Sequence, residues 1–235
     1  MATADGTVKK TPLVNFSRPR STGLIALSLD EGDTLIGAAI TDGTAEVMLV
    51  SSQGKSIRFA EDDVRPMGRT ARGVRGIKLQ NNARVISLII PQETGRILTT
   101  SINGYGKQTD VEDFPTYGRG GQGVIAMQCT DRNGELIGAV QMFEGDDVML
   151  ISDQGTLVRT RSDEISVLGR NTQGVRVIRV AADENLVGVA RIEEPEVSED
   201  ELTETDFTEG EADQVVASDD SPSGPAEAPD SDIEA

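Results

Sequence analysis

Four stretches of this chain carry the same landmarks at a spacing of about 50 residues, and that repetition restricts the fold more than any other feature. A turn glycine recurs at Gly6, Gly54, Gly104 and Gly155, and ten positions later each copy has an apolar residue: Phe16, Val64, Phe114 and Ile165. A second glycine opens an apolar run at Gly23, Gly73, Gly123 and Gly174. Each copy then closes on an apolar pair: Leu35-Ile36, Val85-Ile86, Leu136-Ile137 and Leu186-Val187.

The chemistry of these landmarks is that of β-structure. Asp5-Gly6, Gln53-Gly54, Asn103-Gly104 and Gln154-Gly155 lie between runs rich in Val, Ile, Leu and Thr, and supply the positive φ of a tight antiparallel turn. A second turn is expected at Glu31-Gly32, Gln80-Asn81-Asn82, Asn133-Gly134 and Ala182-Asp183. Each unit therefore reads as strand, hairpin, strand, longer loop, strand, hairpin, strand. In the fourth copy the strands fall near 147–153, 156–161, 175–180 and 185–192, and long helical periodicity is absent from residues 1–192. The expected fold is all-β: a propeller-like array of four blades, with repeats at 1–42, 43–92, 93–143 and 144–192. A single β-sandwich is the alternative, but it gives no reason for landmarks at a constant interval. Phe16, Val64, Phe114 and Ile165 should occupy equivalent places, and the array should be an open arc with an unpaired edge.

The net charge of −18 is an average over two unlike parts. Residues 1–192 hold 22 basic and 23 acidic side chains, whereas 193–235 hold 17 acidic side chains and no basic one. That second part has six large apolar residues in 43, too few to offset the entropy of ordering it, so a disordered acidic tail is expected. Its roles divide between solubility and an anionic arm that competes with a polyanion for basic sites. Cys129 reads as a small core thiol, and one cysteine allows no internal disulfide. With no histidine, zinc sites and histidine-based catalysis are not expected. No signal peptide or long apolar segment is visible, which points to a cytoplasmic protein without membrane contact.

Seventeen of the 22 basic residues are arginine, and they follow the repeat. Three copies carry Gly-Arg-x-x-x-Gly-Val before the third strand, at Gly68-Arg69, Gly118-Arg119 and Gly169-Arg170; Arg65 and Arg72 flank the first of these. The first copy has Arg18 and Arg20 in the same loop. The turn and second strand add Lys9, Lys10, Lys55, Arg58, Lys107, Arg159 and Arg161. Equivalent positions on a bladed array form a regularly spaced arc of cations, suited to the evenly charged backbone of duplex DNA. Guanidinium pairs with phosphate in bidentate geometry, and neighbouring glycines let the backbone approach. A curved track would bend the duplex, so deformability should matter more than base identity. The plainer reading is that these cations are solvated or paired with the nearby acids Asp62-Asp63, Glu112-Asp113 and Asp163-Glu164. Arg75 and Arg176 alternate with Ile77 and Ile178 on an expected core face and stand outside this set.

Several segments resemble the C-terminal domain of the bacterial DNA gyrase A subunit. They are Met1-Ala2-Thr3-Ala4-Asp5-Gly6-Thr7-Val8-Lys9-Lys10-Thr11, Asn103-Gly104-Tyr105-Gly106-Lys107, Gly155-Thr156-Leu157-Val158-Arg159-Thr160-Arg161, and Glu164-Ile165-Ser166-Val167-Leu168-Gly169-Arg170-Asn171-Thr172-Gln173-Gly174-Val175. The likeness covers residues 1–192, and an acidic tail is typical of the same family. It implies a β-pinwheel that wraps duplex DNA on a basic rim, four blades of a domain that has six. The family's Gln-Arg-Arg-Gly-Gly-Lys-Gly box is absent; Tyr117-Gly118-Arg119-Gly120-Gly121-Gln122-Gly123 is a degenerate counterpart. The catalytic tyrosine of that enzyme lies in another region, so Tyr105 and Tyr117 are not expected to be catalytic. This chain should hold no cofactor, with ATP and Mg2+ used elsewhere in the holoenzyme. The implied partners are double-stranded DNA and, in a heterotetramer, a second gyrase A chain together with gyrase B, in a cytoplasmic, nucleoid-associated setting. The equivalent domain of topoisomerase IV is one alternative, and a protein-interaction β-propeller another. Steep salt dependence of binding to random duplex favours the DNA readings; indifference to DNA favours the last.

Overall fold

The architecture comes from a computed structural model in which residues 1–193 are described; the expected disorder of the acidic tail concerns residues outside that range, save its first. The first repeat contributes β1 (Ala2–Thr3), β2 (Thr7–Val8) and β3 (Leu35–Gly37). The second holds β4 (Glu46–Ser51), β5 (Lys55–Ala60), β6 (Val74–Arg75) and β7 (Val85–Ile89). The third holds β8 (Arg96–Ser101), β9 (Tyr105–Asp110), β10 (Val124–Ile125) and β11 (Leu136–Met142). The fourth holds β12 (Asp147–Ser152), β13 (Leu157–Arg161), β14 (Val175–Arg176) and β15 (Leu186–Ile192). The fold is all-β, with four antiparallel sheets ordered β3-β1-β2-β6, β7-β4-β5-β10, β11-β8-β9-β14 and β15-β12-β13.

That order corrects one expectation. A repeat does not build its own four-stranded blade. It supplies three strands to one sheet and sends its short third strand to the sheet before it, so that β6, β10 and β14 pair with β2, β5 and β9. The second expected turn is therefore a crossing between sheets and not a hairpin. The third strand is also shorter than the expected 175–180, at two residues, because it meets only the start of its borrowed partner.

The turn glycines show why the exchange holds. The carbonyl of Gly6 accepts two amides from the following repeat, Gly76 at 2.8 Å and Ile77 at 3.3 Å. Gly54 does the same for Ala126 and Met127, and Gly104 for Val177 and Ile178. A β-carbon on Gly54 would lie 2.1 Å from the Met127 carbonyl, and on Gly104 2.5 Å from that of Ile178. Gly155 has φ +86° and open space beside it, since no third strand reaches β13. Among the described residues two complementary parts lack a strand partner: the outer edge of β13, where Leu157 is 58% exposed, and the first repeat's own third segment, where Ile25 is 66% exposed.

Four sheets enclose three cores, each lying between successive sheets. Leu49, Ile57, Phe59 and Val64 of the second repeat pack with Ala2 and Val8 of the first. Met48, Val50 and Ile89 pack with Ile97, Phe114 and Leu136 of the third. Leu98 and Met142 pack with Val148, Leu150 and Ile165 of the fourth. Each fully buried large side chain contributes about 1.5–3 kcal/mol, so stability resides mainly at the interfaces between blades. Val64, Phe114 and Ile165 are buried just after short 3-10 turns at Glu61–Asp63, Val111–Asp113 and Ser162–Glu164. Phe16 departs from them: it ends the turn Leu13–Phe16 and is half-buried. In the second and fourth repeats the turn is tied by Glu61 to the Ala45 carbonyl and by Ser162 to that of Asp146. Leu13 and Val14 of the first repeat's turn are exposed. Among the described residues, no helix is long and apolar enough to cross a membrane.

Candidate nucleic-acid interface

The basic loops between second and third strands are pinned at the same point in successive repeats. The Lys10 carbonyl accepts Met67 N–H at 2.9 Å, that of Arg58 accepts Tyr117 at 2.8 Å, and that of Gln108 accepts Leu168 at 2.9 Å. Each Gly-Arg loop therefore lies across the second strand of the preceding repeat, and its arginine is placed accordingly. Arg69 Nη1 donates to the Ile25 carbonyl at 3.1 Å, Arg119 Nη1 to that of Arg75 at 3.1 Å, and Arg170 Nη1 to that of Ile125 at 3.0 Å. These acceptors occupy the same register in three repeats. A guanidinium has five N–H donors, so each arginine ties two repeats together with donors to spare; Arg119 is exposed and Arg69 and Arg170 are half-buried. Among the described residues, Arg69, Arg119 and Arg170 form no ion pair, and neither do Arg18, Arg20, Arg65 and Lys55.

The remaining expected site residues are placed differently. Lys9 is 2% exposed and Lys107 fully buried. Lys9 Nζ donates to the carbonyls of Ala26 and Arg69; Lys107 Nζ donates to those of Gly169 at 2.6 Å and Arg170 at 2.5 Å. Both ammonium groups hold loop backbone from inside, so their assignment to the DNA-facing surface is corrected. Burial, and secondarily the charge of Arg170, pushes Lys107 down to about 8; burial and Arg69 act on Lys9 in the same direction. Arg58 is engaged by Glu46 and by the carbonyls of Val111 and Phe114, which removes it from the interface as well. Lys10 pairs with Asp62 at 3.1 Å and Glu61 at 3.5 Å. Arg72 pairs with Asp30, Arg159 with Asp147, and Arg161 with Asp163 at 3.0 Å. The Arg72 and Arg161 pairs are solvent-exposed and worth under about 1 kcal/mol, so a phosphate can displace the carboxylate at little cost, whereas the Asp147 partner of Arg159 is only 18% exposed.

Strand exchange also brings forward residues that the alternation pattern had placed on a core face. Cross-strand partners share a face, and the exchanged pairs are Thr7 with Arg75, Lys55 with Ile125 and Tyr105 with Arg176. Three successive sheets therefore each carry one cation at one register. Arg75 and Arg176 are exposed and do not lie on a core face. The strand ends after them, and the backbone bends onto the turn glycine before Ile77 and Ile178 enter the core, which breaks the alternation on which the core placement rested. Lys78 and Arg179 follow three positions later on the surface, and Arg132 adds a further exposed cation. The available signal was that Arg75 and Arg176 keep the same distance from Gly73 and Gly174. Cys129 is half-buried, with burial raising its thiol pKa.

The family described as DNA gyrase C-terminal domain, beta-propeller, matches residues 1–42, 45–92, 96–141 and 146–193. The DNA gyrase A protein of Pseudomonas aeruginosa is 62% identical over 228 residues, covering 96% of this chain and 24% of the relative. That of Escherichia coli is 52% identical over 217 residues, covering 92% of this chain and 25% of the relative. The chain thus spans about a quarter of the length of the curated relatives it matches. Among solved structures, a DNA gyrase A C-terminal domain superposes with a TM-score of 0.73 at 26% identity, over 81% of this chain and 64% of that one. The C-terminal domain of a DNA topoisomerase IV superposes at 0.76 with 24% identity, over 82% and 60%, which shows the shared fold.

Proposed function

This chain belongs to the DNA gyrase C-terminal domain family, and from that premise we propose that it binds duplex DNA along its basic loops and bends it, as the wrapping module of a type II topoisomerase. In the holoenzyme, ATP-dependent strand passage on DNA wrapped in this way introduces negative supercoils, with gyrase B and a second gyrase A chain as partners. The chain itself acts by binding, without catalytic residues or a cofactor of its own, in a cytoplasmic and nucleoid-associated setting. The observation that carries the reading is periodicity: Arg69, Arg119 and Arg170 are fixed to the same carbonyl register in successive repeats, beside the cation row Arg75, Lys55 and Arg176. A ladder of cations with one spacing suits a ligand with one charge spacing, and duplex DNA is such a ligand. Identity favours gyrase over topoisomerase IV, at 62% and 52% to gyrase A proteins.

The test is duplex binding by fluorescence anisotropy across a salt series, with random-sequence DNA. The expected result is a linear fall of log K with log salt, a slope reduced by about one for each Ala substitution at Arg69, Arg119 or Arg170, and no change in base preference. The triple variant should also lose enhanced cyclisation of short duplexes. Binding that ignores salt, or that survives the triple substitution with its slope intact, would refute the track.

A further inference from the structure

We propose that Tyr105, Arg132 and Arg176 form a clamp for one backbone phosphodiester of the bound duplex, a site confined to the third blade; the proposal rests on the DNA reading above. The Tyr105 ring is 5% exposed and belongs to the core between the second and third sheets, so the phenol is held from within. Its hydroxyl oxygen accepts from two exposed guanidinium groups: Arg176 Nη2 at 2.9 Å and Arg132 Nε at 3.3 Å. Both guanidinium carbons also lie close to the ring, 5.2 and 4.9 Å from its centroid, within cation–π range. Two accepted hydrogen bonds occupy the lone pairs of the phenol oxygen, and its own O–H has no acceptor among the described residues. Three sets of donors therefore converge on the outside of this oxygen with no acceptor supplied.

The charge pattern points the same way. Some exposed arginines on this surface have carboxylate partners, as in Arg96–Asp110 at 2.9 Å and Arg161–Asp163 at 3.0 Å, and others, such as Arg119, have none; what sets Arg132 and Arg176 apart is that they meet on one phenol oxygen. Among the described residues neither Arg132 nor Arg176 forms an ion pair, although the two like charges converge on one atom. The guanidinium groups of Arg132 and then Arg176 hold the phenol pKa below its usual value, a sign that the cluster favours added negative charge. The site is also pre-formed. Arg176 is fixed by its strand pairing to Tyr105. Arg132 sits on a turn anchored by the buried Asn133, whose Nδ2 donates to the carbonyls of Gln128 at 2.7 Å and Gln173 at 3.1 Å. A tetrahedral oxyanion offers several acceptors at once and matches planar guanidinium donors. Thr7, Lys55 and Thr156 stand at the Tyr105 position in the other repeats, so none of them can rebuild the cluster. Its place beside the cation row of the exchanged strands makes the oxyanion a phosphodiester of the wrapped duplex.

The chain has no tryptophan and two tyrosines, so in a Tyr117→Phe background phenolate absorbance reports Tyr105 alone. A bound phosphate accepts the O–H and draws the guanidinium groups away, and both effects raise the phenol pKa. The expected result is an upward shift of that titration with saturating duplex, and a smaller one with inorganic phosphate. The double substitution Arg132→Ala and Arg176→Ala should lower the salt slope of duplex binding by about two, with unfolding curves confirming that the blades remain folded. Tyr105→Phe keeps both charges, and an affinity loss of about tenfold separates a positioned clamp from diffuse charge. Duplex binding with an unmoved phenol titration and an unchanged slope in the double variant would overturn the clamp while leaving the DNA reading intact. A response to inorganic phosphate but not to duplex would overturn it in favour of a free-anion site. Failure of the unsubstituted chain to bind duplex is a separate result: it overturns the DNA reading, and the clamp as a DNA contact falls with it.

Discussion

Replacing Lys107 with Met separates the structural role of a buried cation from the surface role that its charge suggests. Met has nearly the same length and no charge, so the substitution removes the two contacts to the Gly169 and Arg170 carbonyls with little loss of packing. Leaving two carbonyls without a donor costs about 1–3 kcal/mol each. Against this, the variant no longer desolvates an ammonium whose pKa is pushed down to about 8. At about 1.4 kcal/mol per unit that penalty is roughly 3–4 kcal/mol, discounted to about 1–2 kcal/mol for solvent screening. The net expectation is a loss of about 1–3 kcal/mol near neutral pH. The pH dependence has a definite sign. The folded pKa lies below the unfolded one, so between about 8 and the ordinary lysine value the unfolded chain binds the extra proton, and stability rises with pH through that window. The Met variant lacks the rise, and its deficit should therefore widen by about 1–2 kcal/mol as the medium becomes alkaline. Urea unfolding of both chains at neutral and alkaline pH measures this. Equal stability at neutral pH, or the same pH dependence in both chains, would refute the account.

Two further outcomes are expected. Gly104→Ala should cost about 3 kcal/mol or more and Gly155→Ala about 1 kcal/mol, because both have positive φ but only Gly104 meets the exchanged backbone, with the Ile178 carbonyl 2.5 Å from a β-carbon; equal losses in urea unfolding would contradict the exchange. Removal of residues 196–235 should tighten duplex binding at low salt, with the gain fading as salt screens the acidic run, and unchanged affinity would leave that run a solubility role.

Much of the architecture is legible in the amino-acid order because it is written locally. Positive φ at Gly54, Gly104 and Gly155 and the apolar residue ten positions on mark turns and inter-sheet cores directly. Strand exchange is not written locally. Val74-Arg75 would show the same short apolar–polar pattern beside any second strand, and only the long Gly-Arg loop decides which strand it meets. The site is unevenly legible for a related reason. Lys9 and Lys107 have the charge of surface residues, but their repeat counterparts are Ile57 and Val158, a buried and a half-buried apolar residue, and that substitution pattern marks an inward-facing position. Arg132 lies in a turn without a basic counterpart in the other repeats, so periodicity could not find it.

Strand exchange separates the unit that repeats in sequence from the unit that closes in space. During synthesis each sheet remains one strand short until the following repeat has left the ribosome, so completion runs from the N-terminal end onward and lags translation by one repeat. Duplicating a whole repeat inserts one donor strand and one acceptor edge together, which lets such an array lengthen without redesign of any interface. Among the described residues the segment around Ile25 is such a donor without a partner sheet, and the edge of β13 such an acceptor without a third strand.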